Sequence, residues 1–191
     1  MEDAQGDELE GLSDYSTDFN PDLRFEDLSK ETLVRLLELY SRLLVTLDGF
    51  WYLSIKERVS NEEALACDHW VWERELRYMV DDIKELLGIN GKDVVDFMKV
   101  LQARPLHFVI EEKIQVMNGN DAVLTVTHCP TLVALEKEGE GRDATHCELA
   151  CSIMRRKHAE LFNQEIEVRC LKVPPRKSQK DTFCQWEYRI G

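Results

Sequence analysis

The pattern of apolar and polar positions divides the chain into a first part with helical period and a second part where the period shortens to two. Residues 1–27 are acidic, rich in Asp, Glu, Gly and Ser, and show little periodicity, which predicts a disordered tail or a loosely docked arm. Ser29, Glu31 and the run Leu33-Val34-Arg35-Leu36-Leu37 then open an amphipathic helix. It runs through Leu43, Leu44 and Leu47 towards Asp48-Gly49, and Phe50-Trp51-Tyr52-Leu53 carries a second helix to about Val59. Ser60-Asn61-Glu62-Glu63 is a capping box, in which the Ser60 hydroxyl accepts from the Glu63 amide while the Glu63 side chain reaches back. The helix it starts extends to about Leu87 and ends at Gly88; a shorter one over residues 92–103 is stopped by Pro105.

Beyond Pro105 the pattern alternates. Residues 107–116 read as a strand, Asn118-Gly119-Asn120-Asp121 supplies turn chemistry, and residues 123–127 return as a second strand. Pro130 fits the first turn of a helix through Glu138, which Gly139 and Gly141 interrupt before a helix over residues 144–162. Residues 165–173 and 182–190 read as strands joined by a loop containing Pro174-Pro175-Arg176-Lys177. The expected fold is therefore α+β. A helical half, residues 28–104, packs on a cysteine-rich half, residues 105–191, built as an antiparallel sheet of about four strands with two helices.

The bulk properties narrow the class. At 191 residues with 43% hydrophobic positions, the chain can build one domain with a real core. A net charge of −13 argues against nucleic acid, whose phosphates need a basic surface. No apolar run approaches the ~20 residues that span a bilayer. Met1 to Glu10 is acidic where a secretory signal would be basic and then apolar, so a cytoplasmic location is expected, where thiols stay reduced. The expected partner is a small-molecule ligand or substrate, with no nucleic acid and no membrane; a homo-oligomer is compatible with all of this.

Chemistry concentrates in the last third. Five of the six cysteines, Cys129, Cys147, Cys151, Cys170 and Cys184, lie there, two of them directly after a histidine in His128-Cys129 and His146-Cys147. Cys147 and Cys151 share one helix face with Met154, His158 and Leu161, and strand alternation turns Cys170 and Cys184 to the apolar side. Packing the 144–162 helix across the sheet would gather these sulfurs, with Cys129 at the margin. Three or four of Cys129, His146, Cys147, Cys151, Cys170 and Cys184 could then ligate zinc or an iron–sulfur centre, or one thiolate could act as a nucleophile. The competing reading is that cysteine is a small, often buried hydrophobe; Cys151 and Cys170 suit that role best, and Cys67 is structural. Trp51, Trp70, Trp72, His107 and His158 are read as core, pocket wall or solvent-facing positions.

The order of motifs resembles a known family. A strand ends in Cys129-Pro130, Glu136-Lys137-Glu138-Gly139 follows, and Cys147 opens a helix. Next come the Pro174-Pro175-Arg176 loop and a close on Asp181-Thr182-Phe183-Cys184-Gln185-Trp186-Glu187-Tyr188. Together with Gly49-Phe50-Trp51-Tyr52 and the capped helix bearing Trp70 and Trp72, this is similar to the prokaryotic proteins grouped with L-2-amino-thiazoline-4-carboxylic acid hydrolase and to a related, largely uncharacterised family, over residues 28–190. The resemblance implies that Cys129, Cys147 and Cys184 are recurrent site cysteines and that Asp181 is the acidic residue before the last of them. The related hydrolases carry an aspartate three residues after the middle cysteine, where this chain has Ala150.

Two mechanisms fit. A zinc ion on Cys129, Cys147 and Cys184 could activate water, or Cys147 could attack directly with His146 or His128 as base. The implied activity is hydrolysis of a heterocyclic or amide C–N bond; the alternative is a sensor or carrier domain that holds a metal or ligand without turnover, which Ala150 slightly favours.

Overall fold

The computed structural model describes residues 11–16 and 18–191, so residues 1–10 of the expected acidic tail lie outside the described part. Within the described part of that tail, the segment at Leu12 is docked. Leu12 bridges to Leu28: the Leu12 amide donates to the Asp27 carbonyl at 2.8 Å and the Ser29 amide donates to the Leu12 carbonyl at 3.0 Å. The approach needs a glycine, since a Cβ on Gly11 would stand 2.5 Å from the Leu28 carbonyl carbon.

Helix α1 spans Lys30–Arg58 and is capped by Ser29, whose hydroxyl accepts from the Thr32 amide at 3.2 Å. The two helices expected on either side of Gly49 are one. Gly49 in a helix interior costs only about 1 kcal/mol relative to alanine, and the packing on both sides outweighs it. Helix α2 (Asn61–Leu87) starts at the Ser60 cap, with the Glu63 amide donating to the Ser60 hydroxyl at 3.1 Å. It ends at Gly88 with φ +64°, where the Ile89 amide reaches the Lys84 carbonyl at 2.9 Å. Helix α3 (Val94–Ala103) is capped by Asp93.

Residues 105–108 form a 3₁₀ turn, so the first strand begins later than the alternation suggested. Pro105 keeps the chain helical until the Ile110 amide has bonded to the Leu106 carbonyl. Strands β1 (Glu111–Asn118) and β2 (Asp121–His128) make the expected hairpin. Helix α4 (Pro130–Glu138) follows, ending at Gly139 with φ +71°. Helix α5 (Arg142–His146) then runs through a π turn, Cys147–Cys151, into helix α6 (Ser152–Phe162). Strands β3 (Ile166–Lys172) and β4 (Cys184–Ile190) complete an antiparallel sheet of order β1-β2-β4-β3. The α+β class, the helical first half and the four-stranded antiparallel sheet thus match the sequence expectation.

The register explains which side chains meet. Directly opposed residues of an antiparallel pair point to the same face. The inner face therefore carries the row Ile114, Leu124, Trp186, Cys170, and beside it a row with Glu112, Val126 and Cys184. Helices α3 and α6 cover this face. Phe97 of α3 is fully buried against His158 (5.2 Å between ring centroids), Phe162 (5.3 Å) and Tyr188 (5.4 Å). The α1–α2 hairpin forms the outer layer, and among the described residues no helix is long and apolar enough to cross a membrane.

Candidate functional site: a thiol-lined cavity between the layers

A cavity of about 560 Å³ opens where α1 and α2 meet α4 and the α5–α6 helix. Its walls are mainly apolar, with Val45, Leu53, Leu76, Met79, Ile110 and Leu135 among them, and a few polar groups converge on it. That is the usual make-up of a small-molecule site. An ion network links three of the bordering helices: Lys56 Nζ meets Glu138 at 2.5 Å and Glu140 at 2.6 Å, and Arg142 holds the other Glu138 oxygen at 2.7 Å.

The α5–α6 helix contributes Arg142, His146, Cys147, Ala150, Cys151, Met154, Arg155 and His158 to the cavity. At about 100° per residue, an unbroken α-helix would spread those positions round roughly 220°. The π turn at Cys147–Cys151 is wider, takes about 80° out of the winding, and brings them into one sector. Cys147 and Cys151, four residues apart, stay neighbours across it.

The two thiols are not equivalent. Interaction with the Cys151 sulfur, and then burial, raises Cys147 far above the ordinary thiol range. The same interaction lowers Cys151, and the Arg155 guanidinium lowers it further against the opposing effects of burial and the Asp68 carboxyl. Cys151 is therefore the sulfur that ionises first. It had been read from sequence as a core residue; its place in the cavity wall is a finding of the structure. Cys129 caps α4, where the Leu132 and Thr131 amides face its sulfur, yet burial pushes it up to about 11. Cys184 lies on the sheet behind Arg155, raised by burial and partly offset by Arg155 and the Trp186 indole. Cys170 is raised by partial burial on β3. Cys67 stands apart on α2, its thiol donating to Glu63 Oε1 at 3.7 Å.

Of the residues singled out from sequence as site groups, Cys129, His146, Cys147 and Cys151 line the cavity, as do Trp72 and His158, whereas Cys184 does not. His146 is held neutral, its pKa lowered to about 4 by burial and then by the Arg142 charge. His128 packs on Phe183 (5.6 Å between centroids) and borders a separate recess with His107 and Lys113. Asp181 pairs with Lys172 on the far loop and accepts from the Lys177 amide at 3.1 Å. Neither borders the cavity. Among the described residues no group of three or more His, Cys, Asp or Glu side chains is arranged to hold a metal ion. Arg155, a fixed cation, acts on both Cys151 and Cys184. Zinc or an iron–sulfur centre on Cys129, Cys147 and Cys184 does not fit this arrangement.

Sequence reasoning missed the charged half of the site. Asp48 of α1 and Asp68 of α2 face the cavity, as does Trp72, whose indole favours the charged form of both carboxyls. Burial, and secondarily the Asp48 charge, pushes Asp68 up to about 7; burial also raises Asp48. Opposite them, Arg155 donates to the Tyr188 hydroxyl at 2.9 Å and lies 5.2 Å from the Trp186 ring centre. Arg104 pairs with Glu112, whose side chain is 0% exposed and whose second oxygen faces His107 at 3.6 Å. His158 is buried and neutral, and its Nε2 has no partner among the described residues. Arg155 Nη2 lies 3.9 Å from the same Glu112 oxygen, so two arginines share one buried carboxylate close to Cys151. The available signal was that Asp48, Asp68 and Arg155 interrupt otherwise apolar helix faces.

Fold and site together define an α+β protein with a partly open cavity that carries a pair of neighbouring thiols on one wall and a carboxyl pair on another. The chain belongs to a family of unknown function, DUF6125, whose sequence profile matches residues 26–190. No curated protein and no solved structure matches it.

Proposed function

We propose that this chain is a small-molecule hydrolase-like protein that acts on an amide or heterocyclic C–N bond, with Cys151 as the nucleophile and Asp68 as the acid–base group. The observation that carries the reading is the Cys147–Cys151 sulfur pair beside Arg155, on the wall of a cavity that Asp68 also faces. Attack by the Cys151 thiolate forms an S–C bond to the electrophilic carbon. The C–N bond breaks as the nitrogen leaves with a proton from Asp68. Water then adds to the thioester carbon, Asp68 takes up its proton, and the thiolate is released. A carboxyl poised near 7 is suited to giving a proton in one step and accepting one in the next. The nucleophile is Cys151 in place of the expected Cys147. The carboxylate that the similar hydrolases carry at the position of Ala150 has its counterpart across the cavity in Asp68.

Iodoacetamide labelling with peptide mapping between pH 6 and 9 tests this. Cys151 should react before Cys67, whose thiol is raised by partial burial and by Glu63, and Cys147→Ala should slow the Cys151 reaction at pH 7 at least several-fold. A panel of small amides and cyclic amidines, followed by release of amine or ammonia, reads turnover. A Cys151 inert at pH 8 while Cys67 reacts removes the basis of the proposal.

Ala150 and the apolar walls favour a second reading, a binding domain without turnover. Under that reading, compounds from the panel protect Cys151 from iodoacetamide and release no amine.

A further inference from the structure

Cys147 and Cys151 stand at the two ends of the π turn, and both line the cavity. Four residues of regular α-helix rise about 6 Å, within the ~4.4–6.8 Å between Cα atoms that a disulfide spans. Consecutive Cα atoms stay ~3.8 Å apart on a trans chain, so the wider π turn rises less per residue and draws the pair closer. The Cys151 sulfur is the strongest influence on Cys147, while Cys129 and Cys184 act on it more weakly and only through charge. Access separates the two partners. Cys147 is 7% exposed, whereas Cys151 is half-buried, next to Arg155, on the wall of a partly open cavity that small molecules can enter. A reachable thiolate set beside a second thiol is the arrangement found at redox-responsive cysteines.

We propose that Cys151 and Cys147 are a modification site at which a hydroperoxide forms a reversible disulfide and so switches off the cavity. The proposal rests on the Cys151 thiolate of the hydrolase reading and names the regulation of that site. The thiolate attacks one peroxide oxygen: an S–O bond forms, the O–O bond breaks, and the departing oxygen takes a proton to leave as water. Cys147 then gives up its proton and attacks the sulfenic sulfur: the S–S bond forms, the S–O bond breaks, and the hydroxyl leaves as a second water. The two sulfurs together lose two electrons, and the peroxide gains them. The chief influence holding the proton on Cys147 is the Cys151 sulfur, and it ends once Cys151 is an uncharged sulfenic acid. In the linked form Cys151 has no thiolate left to attack a substrate.

Trypsin leaves both cysteines in one peptide, residues 143–155, which holds no other cysteine. The test treats the reduced full chain with a small molar excess of hydrogen peroxide, then alkylates it with iodoacetamide in urea and digests it. Peptide 143–155 should lose two hydrogens and both labels at least tenfold faster than Cys67 loses its label, and dithiothreitol should restore both. In Cys147→Ala the same dose should leave a sulfenic acid on Cys151 that dimedone traps; an unmodified Cys151 in that variant overturns the proposal. A disulfide from Cys151 to Cys129 or Cys184 overturns it too, as does a peptide 143–155 that stays fully labelled while Cys67 oxidises. Labelling of the untreated, folded chain keeps the two readings apart. A Cys151 that alkylates at pH 8 yet forms no link to Cys147 removes the switch and leaves the nucleophile in place.

Discussion

Replacing Asp68 by asparagine keeps the shape of the side chain and removes its titration. In the folded protein Asp68 holds its proton up to about 7; its ordinary value, and its value in the unfolded chain, is 3.8. Between those limits the folded state binds more protons than the unfolded one, so this residue makes the protein less stable as pH rises through the window. At ~1.4 kcal/mol per pH unit, the full difference is roughly 4 kcal/mol. Access of water to the cavity reduces the expected effect to about 2 kcal/mol. The assay is urea denaturation of the parent and of Asp68→Asn every half unit from pH 4.5 to 8.5, followed by tryptophan fluorescence. The difference in unfolding free energy, variant minus parent, should climb by about 2 kcal/mol across that range and level off above pH 8. Taking the difference cancels the other titrating groups. A difference that stays flat would mean that Asp68 is an ordinary solvated carboxylate, and with it the acid–base role would go.

His146 should show the opposite dependence. Its folded value of about 4 lies below the usual 6.5, so its contribution is intact above pH 6.5 and disappears as pH falls towards 4; His146→Phe should flatten the acid limb of the denaturation profile. Glu112→Leu leaves Arg104 and Arg155 without their buried counter-charge and should cost about 3–5 kcal/mol. The double variant Arg104→Met/Glu112→Leu should recover part of that loss, as read by thermal melting.

The secondary structure was legible wherever a local device sets it. The Ser60 cap, the αL glycine at Gly88, the Asn118–Asp121 turn and the alternation in β2 each act over a few residues and were found where expected, although the Glu63 side chain does not reach back to complete a capping box. Gly49 misled because a glycine's cost within a helix is smaller than the packing it joins. Pro105 misled because a 3₁₀ turn can absorb residues that alternate. The thiol pair followed from four-residue spacing on one helix. The roles within the pair did not, since they depend on Arg155. Asp48 and Asp68 stayed hidden for a similar reason. A lone carboxylate on an amphipathic helix looks solvated until another layer closes over it, and here that layer comes from residues some eighty positions further along the chain.

The π turn at Cys147–Cys151 also bears on length variation. Such a turn amounts to one extra residue in an otherwise regular helix, so deleting a single position from it would restore ordinary winding without rotating what precedes or follows. A one-residue loss elsewhere in α5 or α6 would swing the downstream side chains by about 100° and scatter the wall. Homologues shortened by one within this stretch should therefore keep their architecture while altering how the sulfurs face each other. In this lineage a gap there would signal changed chemistry rather than a damaged scaffold.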